Sequence, residues 1–79
     1  MVERIFMPLL DEGVEVYRPV QAYHVSGDVY IVLRSADYDP SDETWEFPPG
    51  SVVVCQKRTT ADGEILAAVR RQELGKQSA

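Results

Sequence analysis

Three sets of side chains in this 79-residue chain could do chemistry: the lone histidine, His24, with the lone cysteine, Cys55; an acidic run, Asp37, Asp39, Asp42 and Glu43; and the tyrosines Tyr17, Tyr23 and Tyr30. Nucleophilic catalysis needs a base beside its nucleophile, and the only candidate dyad is His24 with Cys55 or a serine. Cys55 alternates within the valine run "VVVC", where free cysteine behaves as a small buried hydrophobe, and no basic residue precedes it in that strand to lower its pKa. His24 lies at the turn end of a strand, on its apolar face, where a structural histidine is the simpler account. No catalytic residue is therefore assigned. An enzyme or small ligand carrier using His24 and the acidic loop 37–43 stands as the alternative reading.

The acidic run is spaced loosely like a calcium loop, but Pro40 intervenes and the central glycine of such loops is missing. It reads as a solvated loop that aids solubility, without a metal site. One cysteine rules out an intramolecular disulfide, and one histidine with it rules out a Cys-rich zinc site. The glycines are scattered singly in turns, so no phosphate cradle is present and no cofactor is expected.

These side chains need elements to position them. Alternation with period two dominates, and turn signals recur at about the 8–12-residue spacing of small sandwiches and barrels. The expected strands begin with Val2 to Met7, ended by Pro8, and "DEG", Asp11 to Gly13, supplies a turn. "VEVYRPVQAYHV" then places Val14, Val16, Val20, Ala22 and His24 on one face and Tyr17, Gln21 and Tyr23 on the other, with Pro19 marking an edge or a bend. "SGD" reads as a hairpin turn into "VYIVL". With Ser26 and Gly27 in the turn, Val29, Ile31 and Leu33 face inward and Tyr30 and Val32 outward, and moving the turn by one residue leaves every face unchanged.

Arg34 to Glu43 loses the alternation and is a loop. Trp45 and Phe47 share a face in an extended chain, and "PPGS" fits a type II turn that folds Val52 and Val54 back towards them, so both aromatics are expected in the core. "SVVVCQK" follows as a central strand. An Asp62-Gly63 turn leads into "ILAAVRR", expected as a strand with Ile65, Ala67 and Val69 inward, although its residues are also good helix formers. The reading is all-β: a small curled antiparallel sheet or SH3-like barrel of five to six strands, one domain over residues 1–71, with 72–79 a flexible tail.

The segments "PLLDEGVEVYRPV" and "WEFPPGSVV" together resemble a family of short, uncharacterised bacterial proteins, over about Ile5 to Val69. Tyr17 stands where that pattern has tryptophan before Arg-Pro. The resemblance implies a small curled barrel, similar to the SH3-like class, and no activity.

Charge bounds the partners. With 13 acidic against 8 basic residues and a net charge of -5, the long-range field repels nucleic acid and anionic membranes, and neither is expected as a partner. No apolar run reaches the length of a membrane span, and the N-terminal stretch lacks the features of a signal peptide, so a cytoplasmic protein is expected. What is left is the outward stripe Tyr17, Tyr23, Tyr30 and Val32, expected to be a protein contact surface in a non-catalytic binding or self-associating module, most simply a homodimer.

Overall fold

The computed structural model of the protein describes residues 1–12, 16–36 and 38–72. Its elements are β1 (Val2–Leu10), β2 (Tyr17–Ser26), β3 (Val29–Val32), β4 (Thr44–Trp45), β5 (Val52–Thr60) and β6 (Gly63–Arg71), with no helix among the described residues. The all-β expectation holds, and the strand alternative for residues 65–71 is the one adopted. The expected turn at Gly13, inward Val14, loop residue Asp37 and tail residues 73–79 lie outside the described residues.

The strands close into a ring, β1–β2–β3–β5–β6 and back to β1, with short β4 appended to the end of β1. Four of the ring's contacts are antiparallel, and the seam of β6 against β1, at Phe6 and Ala67, is parallel. The antiparallel expectation thus holds at every contact of the ring but one. An odd number of strands cannot alternate direction all the way round a closed ring, so one contact must be parallel. Closure pairs the edges along most of the sheet and leaves them open only near strand ends, at Pro19 and at the β5–β6 tip.

Both prolines of the first hairpin fit where their missing N–H groups meet no ladder. β1 does not stop at Pro8 but runs on to Leu10. Pro8 turns its carbonyl to Glu46 N (3.0 Å), towards β4, whose ladder with β1 spans only Leu9 with Trp45 and Leu10 with Thr44. N–H and C=O of one strand residue point to the same edge, so the missing donor also falls there. Pro19 pairs with Phe6 in an unbroken β1–β2 register, and its open side lies beyond the β3 ladder, which starts at Ala22. The strand is an edge at Pro19, and its bulge lies elsewhere.

That bulge is at Val25. Ala22, Tyr23 and His24 pair with Val32, Ile31 and Tyr30, but Ser26 pairs with Val29, leaving Val25 as the extra residue. The loop residues are Gly27, at φ 49°, and Asp28. One unpaired residue reverses the faces of β3 relative to a bulge-free hairpin. Tyr30 and Val32 are consequently 6% and 1% exposed and belong to the core, whereas Val29, Ile31 and Leu33 are only partly buried. The expected outward placement of Tyr30 and Val32 is corrected.

Trp45 and Phe47 do point into the core, 3% and 5% exposed. The turn that aims them has Gly50 at φ 94° and a bond from Ser51 N to Pro48 O of 3.0 Å, the type II geometry read from "PPGS". The strand residues that join them are Val53 and Cys55, in one cluster with Ile5, Met7, Val20 and Ala22, in place of the expected Val52 and Val54. Trp45 donates Nε1–H to Glu43 Oε1 (2.8 Å), so its buried polar atom is satisfied. Tyr38 meets its ring edge-on at 4.5 Å.

The second hairpin pairs Thr60 with Gly63, so its loop is Ala61 and Asp62, one residue earlier than the Asp-Gly signal indicates. Gly63 takes φ 117°, a conformation open to glycine. In β6 it is Ala68 and Leu66 that join or pack against the core cluster, correcting the expected inward set of Ile65, Ala67 and Val69; Ala67, on the alternate face at the seam, is fully covered as well.

Candidate functional site

The residues with catalytic potential are held in structural roles. Cys55 is 2% exposed, and burial, with the negative charge of Asp28 adding to it, pushes its thiol up to about 12. It is a thiol, not a thiolate, at neutral pH, and so a poor nucleophile. His24 donates Nε2–H to the carbonyl of Gly27 (2.8 Å) across the β2–β3 turn. Its Nδ1 lies 3.6 Å from Glu3 Oε2, and its ring stacks on Tyr30 with centroids 4.7 Å apart. Burial first, then the charge of Glu3, raises the Tyr30 phenol above its ordinary value, and Glu3 also hydrogen-bonds it. His24 and Tyr30 together brace the turn.

Glu3 was not among the sequence candidates. Its signal was parity: it shares a face with Ile5 and Met7 and pairs with the inward Ala22, so an acid sits at the inward end of an apolar face. A carboxylate there requires a donor, and the Tyr30 hydroxyl supplies one.

The acidic loop is likewise engaged. Glu43 receives Trp45 and forms an ion pair with Arg18 (3.0 Å), while Asp39 accepts from the N–H and the hydroxyl of Ser41, at 2.9 and 2.7 Å, and these bonds hold its carboxyl below the usual range. Arg34 lies over the Tyr38 ring at 5.6 Å. Among the described residues no three His, Cys, Asp or Glu side chains converge as metal ligands would.

The expected contact stripe is divided. Tyr30 and Val32 are interior. Tyr23 is on the outer face, 48% exposed, and Tyr17 is on the same side but opposite Pro8, whereas Tyr23 is opposite Val2. Five residues of β1 lie between those partners, six steps or about 20 Å at the usual rise per residue.

The bulge that buries Tyr30 puts other apolar residues in its place. Val2 pairs with Tyr23, Tyr23 with Ile31 and Ile31 with Val52, an unbroken apolar row across β1, β2, β3 and β5. Val29, opposite Val54, extends it. Sequence reasoning missed Val2, Ile31 and Val52 because the row exists only in the bulged register.

Among the described residues no helix is long and apolar enough to cross a membrane. Compared with protein-family models, curated proteins and solved structures, the chain matches none of them.

Proposed function

We propose that the protein is a small non-catalytic binding module that contacts a protein partner, in the simplest case a second copy of itself, through the outer face centred on Tyr23. The observation that carries this reading is the distribution of exposed apolar side chains. Among the described residues, three of the five large hydrophobics most exposed, Val2, Tyr23 and Val25, lie on this one face. Scattered exposed apolar residues are ordinary on a monomer; their concentration beside the half-buried Ile31 and Val52 marks a contact surface. A partner that covers it also stabilises a core limited by the size of the chain. The net charge of -5 keeps nucleic acid and anionic membranes outside the proposed partner set. The finer expectation of an SH3-like barrel belongs to the same proposal, supported by short strands curled into one ring.

Sedimentation of the parent against a Tyr23→Glu, Ile31→Glu double variant tests the reading. A parent that associates with rising concentration and a variant that stays monomeric, still folded, are the expected results. A parent monomeric throughout removes the second copy as partner, and a variant that associates as tightly as the parent removes this face.

A further inference from the structure

Independently of the Tyr23 face, a cleft of about 680 Å³ opens between the tip of the β5–β6 hairpin and the outer side of β1 and β2. Phe6 and Tyr17 line it from the barrel, and Ile65, Asp62 and Glu64 line it from the tip. Its volume falls within the usual range of small-ligand clefts. Both carboxylates are exposed, and no ion pair engages either among the described residues. The backbone beside them is open too. β6 meets β1 at one ladder pair, Phe6 with Ala67, so Gly63 to Leu66 have β5 on one side and no ladder partner on the other among the described residues.

Each feature selects for a property of the occupant. An open strand edge accepts another extended backbone, whose N–H and C=O groups complete its hydrogen bonds. Aromatic and branched walls accept an apolar side chain, and the face of a tyrosine ring also attracts a cation. Two uncommitted carboxylates beside such a ring favour a guanidinium or ammonium, through charge-assisted hydrogen bonds. On the β5 side, an adjoining concavity shares Tyr17, Thr59 and Thr60 and is lined by Lys57 and Arg58, which repel a second cation there. We propose that the cleft under the β5–β6 tip binds an extended peptide segment of a partner protein, pairing along β6 and placing one arginine or lysine between Tyr17 and the carboxylates of Asp62 and Glu64.

The test is an NMR titration of the full chain with three blocked pentapeptides, acetyl-Val-Thr-Arg-Thr-Val-amide and its counterparts with glutamine or glutamate at the centre. The arginine peptide is expected to give saturable amide shifts over Thr59 to Leu66, Phe6 and Tyr17, with the glutamine peptide weaker and the glutamate peptide silent. An Asp62→Asn, Glu64→Gln double variant, altered only at the exposed tip, should retain the parent spectrum elsewhere and bind the arginine peptide roughly tenfold more weakly, the loss expected for charge-assisted bonds. The proposal is overturned if the arginine peptide produces no saturable shifts, if all three peptides bind equally, if the double variant binds as well as the parent, or if the shifts gather around Tyr23.

Discussion

The corner from Thr44 to Cys55 and the hairpin from Tyr17 to Val32 each bring aromatic residues to the barrel, and they differ in what decides which way those residues point. In the corner the decision is local: Pro49 presets φ, Gly50 takes the positive φ of 94°, and Trp45 and Phe47 share a face by alternation alone. In the hairpin it is not. Ala22 pairs with Val32 but Ser26 with Val29, and the single unpaired Val25 between them inverts the face of every residue in β3. Moving a two-residue turn along the chain shifts partners by two and preserves faces, whereas a bulge shifts them by one and reverses them. Alternation is therefore reliable evidence within a segment and loses its value across a junction whose residue count is undetermined.

The strongest way to break this contrast is to place a charge on each face of β3. Val32→Asp puts a carboxylate where the side chain is 1% exposed, a cost of several kcal/mol against a total stability of roughly 3 to 5 for a domain of this size, and should leave the chain unfolded by circular dichroism. Ile31→Asp, on the outer row, should remain folded with a loss of about 1 kcal/mol in denaturant unfolding. The opposite pattern would mean that the hairpin has no bulge.

Next in size, Trp45→Ala tests the corner. Removing the largest side chain of the core cluster is expected to cost about 3 to 5 kcal/mol, enough to abolish a cooperative urea transition. A well-folded variant would show that the Pro-Gly turn does not aim the ring inward.

The third effect is confined to alkaline solution. With its folded pKa raised from 9.0 to about 12, Cys55 contributes stability that is complete below pH 9 and is lost as pH rises from there towards 12, and the raised Tyr30 phenol acts in the same direction above pH 10. Cys55→Ala should lose less stability than the parent between pH 9 and 11 in thermal unfolding. At pH 8 the native thiol should resist a disulfide reagent that denatured chain consumes at once; rapid reaction of the folded protein would place Cys55 at the surface.

Much of this protein was determined by its sequence alone. Period-two alternation, β-branched and aromatic runs and the punctuation by Pro, Gly, Ser and Asp residues decide an all-β chain, the positions of five of its strands, the type II turn at Pro48 to Ser51 and the burial of Trp45, Phe47 and Cys55. Each follows from interactions among residues a few positions apart. Tertiary structure alone decided the bulge at Val25, and with it the exchange of Tyr30 and Val32 for Ile31 and Val29 on the outside. It also decided the parallel seam at Phe6 and Ala67, the engagement of Glu3 by His24 and Tyr30, and the cleft beneath the β5–β6 tip. These depend on how strands distant in sequence meet once the ring closes. Both faces of β3 are apolar, so hydrophobic pattern cannot choose between them; the bulged register sets Tyr30 opposite His24, where it stacks on the ring while His24 bonds to Gly27.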